Sequence, residues 1–410
     1  MKEKIKKTLI SIILALLIIT NFSSIYSANS TQNTSESSTL SSISAKAYVI
    51  LDNKTNKILY SQNETQKMYP ASTTKILTAL ITLENCNLDD VATASKNAVT
   101  SIPEGYSTAN IQIGETLTIE QLLNLLLIPS ANDAANVLAE HVGGSIENFI
   151  SMMNAKLNEL GLTNSHFTNA YGLHDENHYT TASDLATIMK YCLKNESFRK
   201  IDGQATCNIP ATNKSAARTY TSTNELIVPN YKNYYQYLTA GKTGTTTQAK
   251  QCLVSTAYRD NLELICVILG SEKRFGDTKN LYEYSFSNYS IKNIVNEKDT
   301  IYNIDVEGAT QETKNLNLLI SETIPVLINN STSISEIKPE IILNENIIAP
   351  IEEGDILGTV KYNVEGIEYT SKLIASHSVE KSKLFMYIIY SVIAILILFI
   401  ICKIIFHKKR

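Results

Sequence analysis

The chain has 410 residues, with 36 Lys and Arg against 40 Asp and Glu and a formal net charge of -4. Such a length exceeds what one hydrophobic core usually organises, so two folded domains with appendages are expected. The balanced charge gives no electrostatic argument for a nucleic-acid partner or for a strongly acidic or basic one, and no nucleic acid partner is expected.

At the N-terminus, Lys2, Lys4, Lys6 and Lys7 are followed by the apolar run Leu9 to Ile19 and the small residues Ser24, Ser27 and Ala28. That order predicts a secretory signal peptide over residues 1–28; the apolar run is short for an uncleaved membrane span. Residues 29–44 are almost wholly Ser, Thr, Asn and Gln and read as a linker too polar to fold. The first domain is expected over residues 45–290. It opens with a hairpin, Ala47 to Leu51 and Ile58 to Tyr60, around Asp52, Asn53 and Lys54. Pro70 precedes a helical pattern with Ile76, Leu77, Leu80 and Ile81 on one side. Thr118 and Gln121 form a capping-box pair that opens a helix lasting until Pro129 breaks it. Further helices are predicted over Asn132 to His141, Ile146 to Leu160 and Ser183 to Leu193. Strands are expected at Leu253 to Tyr258 and Leu262 to Leu269, with a turn at Asp260 and Asn261.

From Tyr302 the pattern changes to period two: Tyr302, Ile304 and Val306, then Leu316, Leu318 and Ile320, then Val360, Tyr362 and Val364 before a turn at Glu365 and Gly366. A small all-β domain over residues 291–378, acting as a spacer, follows from this alternation. Residues 384–402 are apolar all round and long enough for a transmembrane helix, and the basic tail 403–410 is expected on the cytoplasmic side. Six cysteines show no close pairing of the zinc or redox kind. Most are expected to be buried free thiols, with Cys192 to Cys207 as the one disulfide considered.

Three short elements carry chemistry. Ser72 and Lys75, three apart at a helix start, share a face, and a lysine in a desolvated site can take a serine's proton. Ser130 and Asn132 sit in the break after Pro129, where a hydroxyl and an amide either relay a proton and hold a substrate amide or cap the next helix. Lys242, Thr243, Gly244 and Thr245 precede a strand-like run, where a cation and a hydroxyl beside a glycine suit an extended peptide ending in a carboxylate. Any one of these is unremarkable alone.

In this order and spacing the three elements resemble the active-site signature of penicillin-binding proteins and serine β-lactamases. The stretches Tyr69 to Thr78, Leu122 to Glu140, Phe167 to Leu173, Thr181 to Leu185 and Ile348 to Gly358 resemble the D-alanyl-D-alanine carboxypeptidase branch in particular. The resemblance implies an α+β, β-lactamase/transpeptidase-like catalytic domain, then a small β domain and a C-terminal transmembrane helix. It implies an extracytoplasmic enzyme on the cell membrane that acts on peptidoglycan stem peptides, with β-lactams as covalent inhibitors and neither metal nor organic cofactor. By the same resemblance Ser72 is the nucleophile, Lys75 its base and Ser130 the proton relay. Asn132 holds the peptide and Lys242 stabilises charge. The amides of Ser72 and Thr245 form the oxyanion hole, and Thr243 and Arg274 receive the terminal carboxylate. Two departures stand out: Lys250 follows Ala249 where the family often has glycine, and Tyr171 stands where some members have histidine. His174 and His178, four apart, lie in a Gly-containing loop and are not expected to bind metal. A β-lactamase would need an asparagine in its deacylation loop, and Glu159, Leu162 and Thr163 lack one. A catalytically silent wall-binding protein is disfavoured by the intact elements.

Overall fold

The computed structural model describes residues 40–408, so the expected signal peptide and most of the expected linker lie outside the described residues. The chain divides into two compact units, the first ending at Ser287 and the second beginning at Asn288.

The first unit is built on strands β1 (Ala47–Asp52) and β2 (Ile58–Gln62), helices α1 (Lys75–Asn85), α2 (Ile119–Leu127), α3 (Asn132–Gly143), α4 (Ile146–Glu159), α5 (Ala182–Cys192) and α6 (Glu196–Asp202), strands β3 (Leu238–Thr246), β4 (Lys250–Arg259) and β5 (Leu262–Ser271), and helix α7 (Arg274–Asn288). The five strands form one antiparallel sheet in the order β2-β1-β5-β4-β3. Every residue of β1 is buried, because β1 has strands on both sides and α5 packs on the sheet at this point. Asp260 and Asn261 join β4 to β5 with φ of 50° and 65°. Two left-handed residues in a two-residue loop match the strand twist, and Asn and Asp tolerate that conformation best after Gly.

Helix α1 is the hub of the helical layer: it packs against α2, α3, α4, α5 and α6, and its residues Lys75 to Thr82 are all buried. Helices α2, α4, α5 and α6 start where a side chain satisfies the free amides of the first turn. Thr118 and Gln121 make the full capping box before α2, while Ser145, Thr181 and Asn195 cap α4, α5 and α6. Two short hairpins, Val91–Thr93 with Thr116–Thr118 and Thr206–Ile209 with Arg218–Thr221, complete the unit.

In the second unit, strands β6 (Tyr289–Val295), β7 (Thr300–Asp305), β8 (Asn315–Ile320), β9 (Ile324–Asn329), β10 (Glu340–Leu343), β11 (Ile356–Val364) and β12 (Ile367–Ala375) make a five-stranded sheet, β7-β8-β12-β11-β10, and a β6-β9 pair. Its core takes Leu316, Leu318 and Ile320 from one strand and Val360, Tyr362 and Val364 from another, as period two requires. Helix α8 (Leu384–Lys408) ends the described chain. The side chains described in it run from Met386 to Cys402, and among the described residues no helix is long and apolar enough to cross a membrane. All six cysteines are free thiols, so the Cys192 to Cys207 disulfide is not formed; Cys192 instead points its thiol at the Ile76 carbonyl in the core.

Candidate active site

Ser72 does not sit in the first turn of an α-helix, as its spacing to Lys75 suggests; it lies in a 3₁₀ turn, Ala71–Thr74, and α1 begins only at Lys75. The tighter turn still brings Lys75 Nζ to 3.1 Å from Ser72 Oγ. Ala71 enters the turn with φ of 49°, and Gly172 is packed against its carbonyl so closely that a Cβ there would stand 1.9 Å from the oxygen.

Lys75 is fully buried and makes two further contacts, donating to Asn132 Oδ1 at 2.6 Å and to the Tyr171 carbonyl at 3.0 Å. Burial holds its amine well below the usual lysine range, the Lys242 cation adds to the fall, and Asp133 opposes it. A neutral amine has two hydrogens and one lone pair. Asn132 Oδ1 and the Tyr171 carbonyl are acceptors only, so they take both hydrogens, and the lone pair is left for the Ser72 hydroxyl.

Asn132 opens α3, and Ser130 precedes it in the left-handed region, with φ of 66°. The capping alternative is not realised: Ala131 is the N-cap residue and no side chain caps the helix. The turn is held through its backbone, Ala131 N–H donating to Leu125 and Asn132 N–H to Ser107. Asp133, absent from the sequence-based candidates, accepts from the amides of Ala109, Ile111 and Ala134 and so ties the loop ending at Ile111 to the start of α3.

The Lys-Thr-Gly element lies on β3, the edge strand. Gly244 faces the serine turn: a Cβ on it would meet Pro70 O at 2.8 Å, Ser72 N at 3.0 Å and Thr73 N at 3.1 Å. Only glycine permits that approach. Lys242 is fully buried and donates to the Thr243 carbonyl. Thr243 shares a hydrogen bond of 2.6 Å with Thr223, whose own amide bonds the Ile128 carbonyl just before Ser130. Thr223 thus links two of the three elements, a role invisible to local sequence reading. Arg274 opens α7 and donates to the Gly244 carbonyl at 2.9 Å and to Thr245 Oγ1 at 2.6 Å, which brings the guanidinium to β3.

Lys250 is accommodated by its backbone. It takes φ of 58° at the first position of β4, where it pairs with Thr246 to close the hairpin. His178 is buried, shares a 2.8 Å hydrogen bond with Thr74 Oγ1 and accepts from the Thr168 amide, which fixes it as a structural residue. Among the described residues no group of three or more His, Cys, Asp or Glu could hold a metal ion.

A serine hydroxyl 3.1 Å from a fully buried lysine amine, with a glycine of the sheet's edge strand packed on its turn, is the arrangement of an active-serine hydrolase. Residues 31–273 match the peptidase S11 family, D-alanyl-D-alanine carboxypeptidase, and residues 289–381 match the C-terminal domain of penicillin-binding protein 5. The chain belongs to the D-alanyl-D-alanine carboxypeptidase family. It is 31% identical over 369 residues to D-alanyl-D-alanine carboxypeptidase DacF of Bacillus subtilis, covering 88% of this chain and 91% of that one. Among solved structures it is similar to penicillin binding protein 5 of Haemophilus influenzae, with TM-score 0.62 and 26% identity over 83% of this chain and 98% of the other. A mutant of the Streptomyces K15 DD-transpeptidase matches with TM-score 0.56 and 30% identity over 60% of this chain and 98% of that one.

Proposed function

We propose that this chain removes the terminal D-alanine from peptidoglycan stem peptides through an acyl-enzyme on Ser72, and that β-lactams acylate the same serine. The observation that carries the reading is the environment of Lys75, whose Nζ lies 3.1 Å from Ser72 Oγ with Asn132 Oδ1 and the Tyr171 carbonyl as its other partners; once the amine is neutral, these two acceptors take its hydrogens and the lone pair is left for the Ser72 hydroxyl. Lys75 takes the hydroxyl proton as Oγ attacks the penultimate D-alanine carbonyl, and Ser130 passes a proton to the departing amine. The amides of Ser72 and Thr245 receive the oxyanion, which the close packing of Gly244 on Ser72 N supports. Lys242 supplies positive potential in the cleft, and Thr243 and Arg274 receive the free carboxylate of the substrate.

The same reading places residues 45–290 as the catalytic domain and 291–378 as a spacer outside the cell, behind a cleaved signal peptide. Its anchor is the helix Leu384–Lys408, apolar from Met386 to Cys402 apart from Tyr387, Tyr390 and Ser391. At about 1.5 Å per residue the apolar run expected over residues 384–402 comes close to a hydrocarbon core of about 30 Å, which supports the anchor as a reading of the sequence.

Labelling with a fluorescent penicillin, together with release of D-alanine from a peptide ending in D-alanyl-D-alanine, tests the proposal. Both signals should appear with the wild-type chain and both should vanish in Ser72→Ala. Folded protein that forms no stable adduct and releases no D-alanine would remove the reading; rapid turnover of the drug would point to a β-lactamase.

A further inference from the structure

Behind the Lys-Thr-Gly strand lies a second buried charge that the proposed chemistry does not use. Asp202 is the last residue of α6 and is 2% exposed; neither carboxylate oxygen meets a partner at full hydrogen-bond geometry, and the backbone of Gly241, next to Lys242 on β3, is the polar group that acts on it by hydrogen bonding. Helix α6 packs on β3, and the contact is backbone to backbone: a Cβ on Gly203 would meet the Thr239 carbonyl at 2.7 Å. Three residues further along β3 is Lys242, itself fully buried. An isolated charge is expensive in such a place, and two opposite ones make each other tolerable.

We propose that Asp202 is a positioning residue that acts through Lys242, serving as the counter-charge that keeps this lysine cationic in the closed cleft. The proposal rests on the carboxypeptidase reading only for its kinetic consequence.

The groups around the pair agree with the assignment. Burial pulls Lys242 down to about 7 and Arg274 pulls the same way, while Asp202 opposes both. Burial pushes Asp202 up to about 7, and Lys242 and a backbone hydrogen bond from Gly241 oppose it. Of the other elements packed on α6, α1 brings Lys75, which feels the Lys242 cation, and α2 brings Glu120, which is half exposed and lies 3.9 Å from Lys200 at the surface. The Cys192 thiol points at the Ile76 carbonyl, and the Asp202 charge adds to the burial that raises its pKa. Loss of the carboxylate charge therefore lowers the proton affinity of Lys242. With Lys242 neutral, Lys75 holds its proton more tightly. The working pH range narrows from both sides.

Asp202→Asn keeps the shape and removes the charge. Two measurements on the full chain in detergent test the idea. The first is an NMR titration of lysine ¹³Cε, with the Lys242 signal assigned by its loss in Lys242→Arg. The second is the pH profile of β-lactam acylation, counted per acylatable serine so that an unfolded fraction drops out. The expected result is a Lys242 midpoint at least one pH unit lower in Asp202→Asn, an alkaline limb shifted by the same amount and acylation at pH 8 reduced about tenfold. An unchanged Lys242 midpoint overturns the inference whatever the rate does. If the wild-type chain is not acylated at all, the carboxypeptidase reading fails, and the lysine titration still decides the role of Asp202.

Discussion

Ser72 differs from the two hydroxyls that follow it by what each one meets. Thr73 Oγ1 donates to the Pro70 carbonyl and Thr74 Oγ1 to the Ala71 carbonyl, so both are committed to the turn, while Ser72 Oγ meets the Lys75 amine. Lys75→Ala should therefore slow penicillin acylation by about 10²- to 10⁴-fold at full folding, measured by stopped-flow labelling. Lys75→Arg should be no better, since a guanidinium does not give up its proton at ordinary pH. In the proposed mechanism Arg274 serves a different end of the substrate. Its loss should lower kcat/KM about ten- to a hundredfold for a peptide ending in free D-alanine and far less for the amidated analogue; equal losses would reduce it to a structural tie between α7 and β3. His178 sets a pH dependence of stability. Burial pulls it down to about 3, below its unfolded value, so its contribution is complete above about pH 6.5 and is lost as pH falls toward 3. Asp202, pushed up, works in the opposite sense between its unfolded value and about 7. The slope of Tm against pH between 4 and 6.5 should therefore be shallower in His178→Asn than in wild type, and an equal slope would show that His178 does not stay neutral.

The site is an assembly of element ends, and glycine or a left-handed residue stands wherever two ends press together. Asn169 Oδ1 accepts from the amides of Gly172 and Leu173 and holds this loop against the serine turn. Gly172→Ala should cost about 1–3 kcal/mol by overpacking, and it should depress acylation beyond that loss because the atom displaced is the Ala71 carbonyl next to Ser72. Lys250 carries the opposite strain: Lys250→Gly relieves a left-handed side chain and should be neutral or stabilising by up to about 1 kcal/mol in thermal melts, with the active site unaffected. Elements with local signals were legible from the residues alone. The capping box at Thr118 announced α2, alternation announced the second unit's strands, and the three-residue spacing of Ser72 and Lys75 announced their contact. The short hairpins at Val91–Thr93 and Thr206–Ile209 were not legible, since each pairs with a strand whose signal is only three or four residues long. Asp133, Gly172, Asp202 and Thr223 were missed for a related reason: their roles come from partners far along the chain. Only Asp133 left a local trace, as the acid in the first turn of α3.

At the scale of the molecule, the chemistry is confined to the first unit, and the proposed anchor is confined to α8. A chain truncated before Lys383 should remain in the supernatant after ultracentrifugation and keep its penicillin labelling; retention on membranes in high salt would demand a second attachment. The order of strands in the first unit reaches further. Strand β1, made first, has β5, made last, as its neighbour, and the whole helical layer with Ser72 and Lys75 is synthesised between them. Closing that pairing spans more than two hundred residues, a long loop whose entropy must be overcome before the contacts reward it. Until β5 has emerged, nothing joins the β3-β4 hairpin to β1, Gly244 cannot reach the serine turn, and Lys75 remains a hydrated, protonated side chain like any other. The fold thus works as a timer for a chain that emerges N-terminus first: the nucleophile is carried inert and is switched on only when the strand ending at Ser271 arrives. A fragment stopped at Arg259 should hold Ser72 and Lys75 and all three signature elements, yet form no adduct with penicillin.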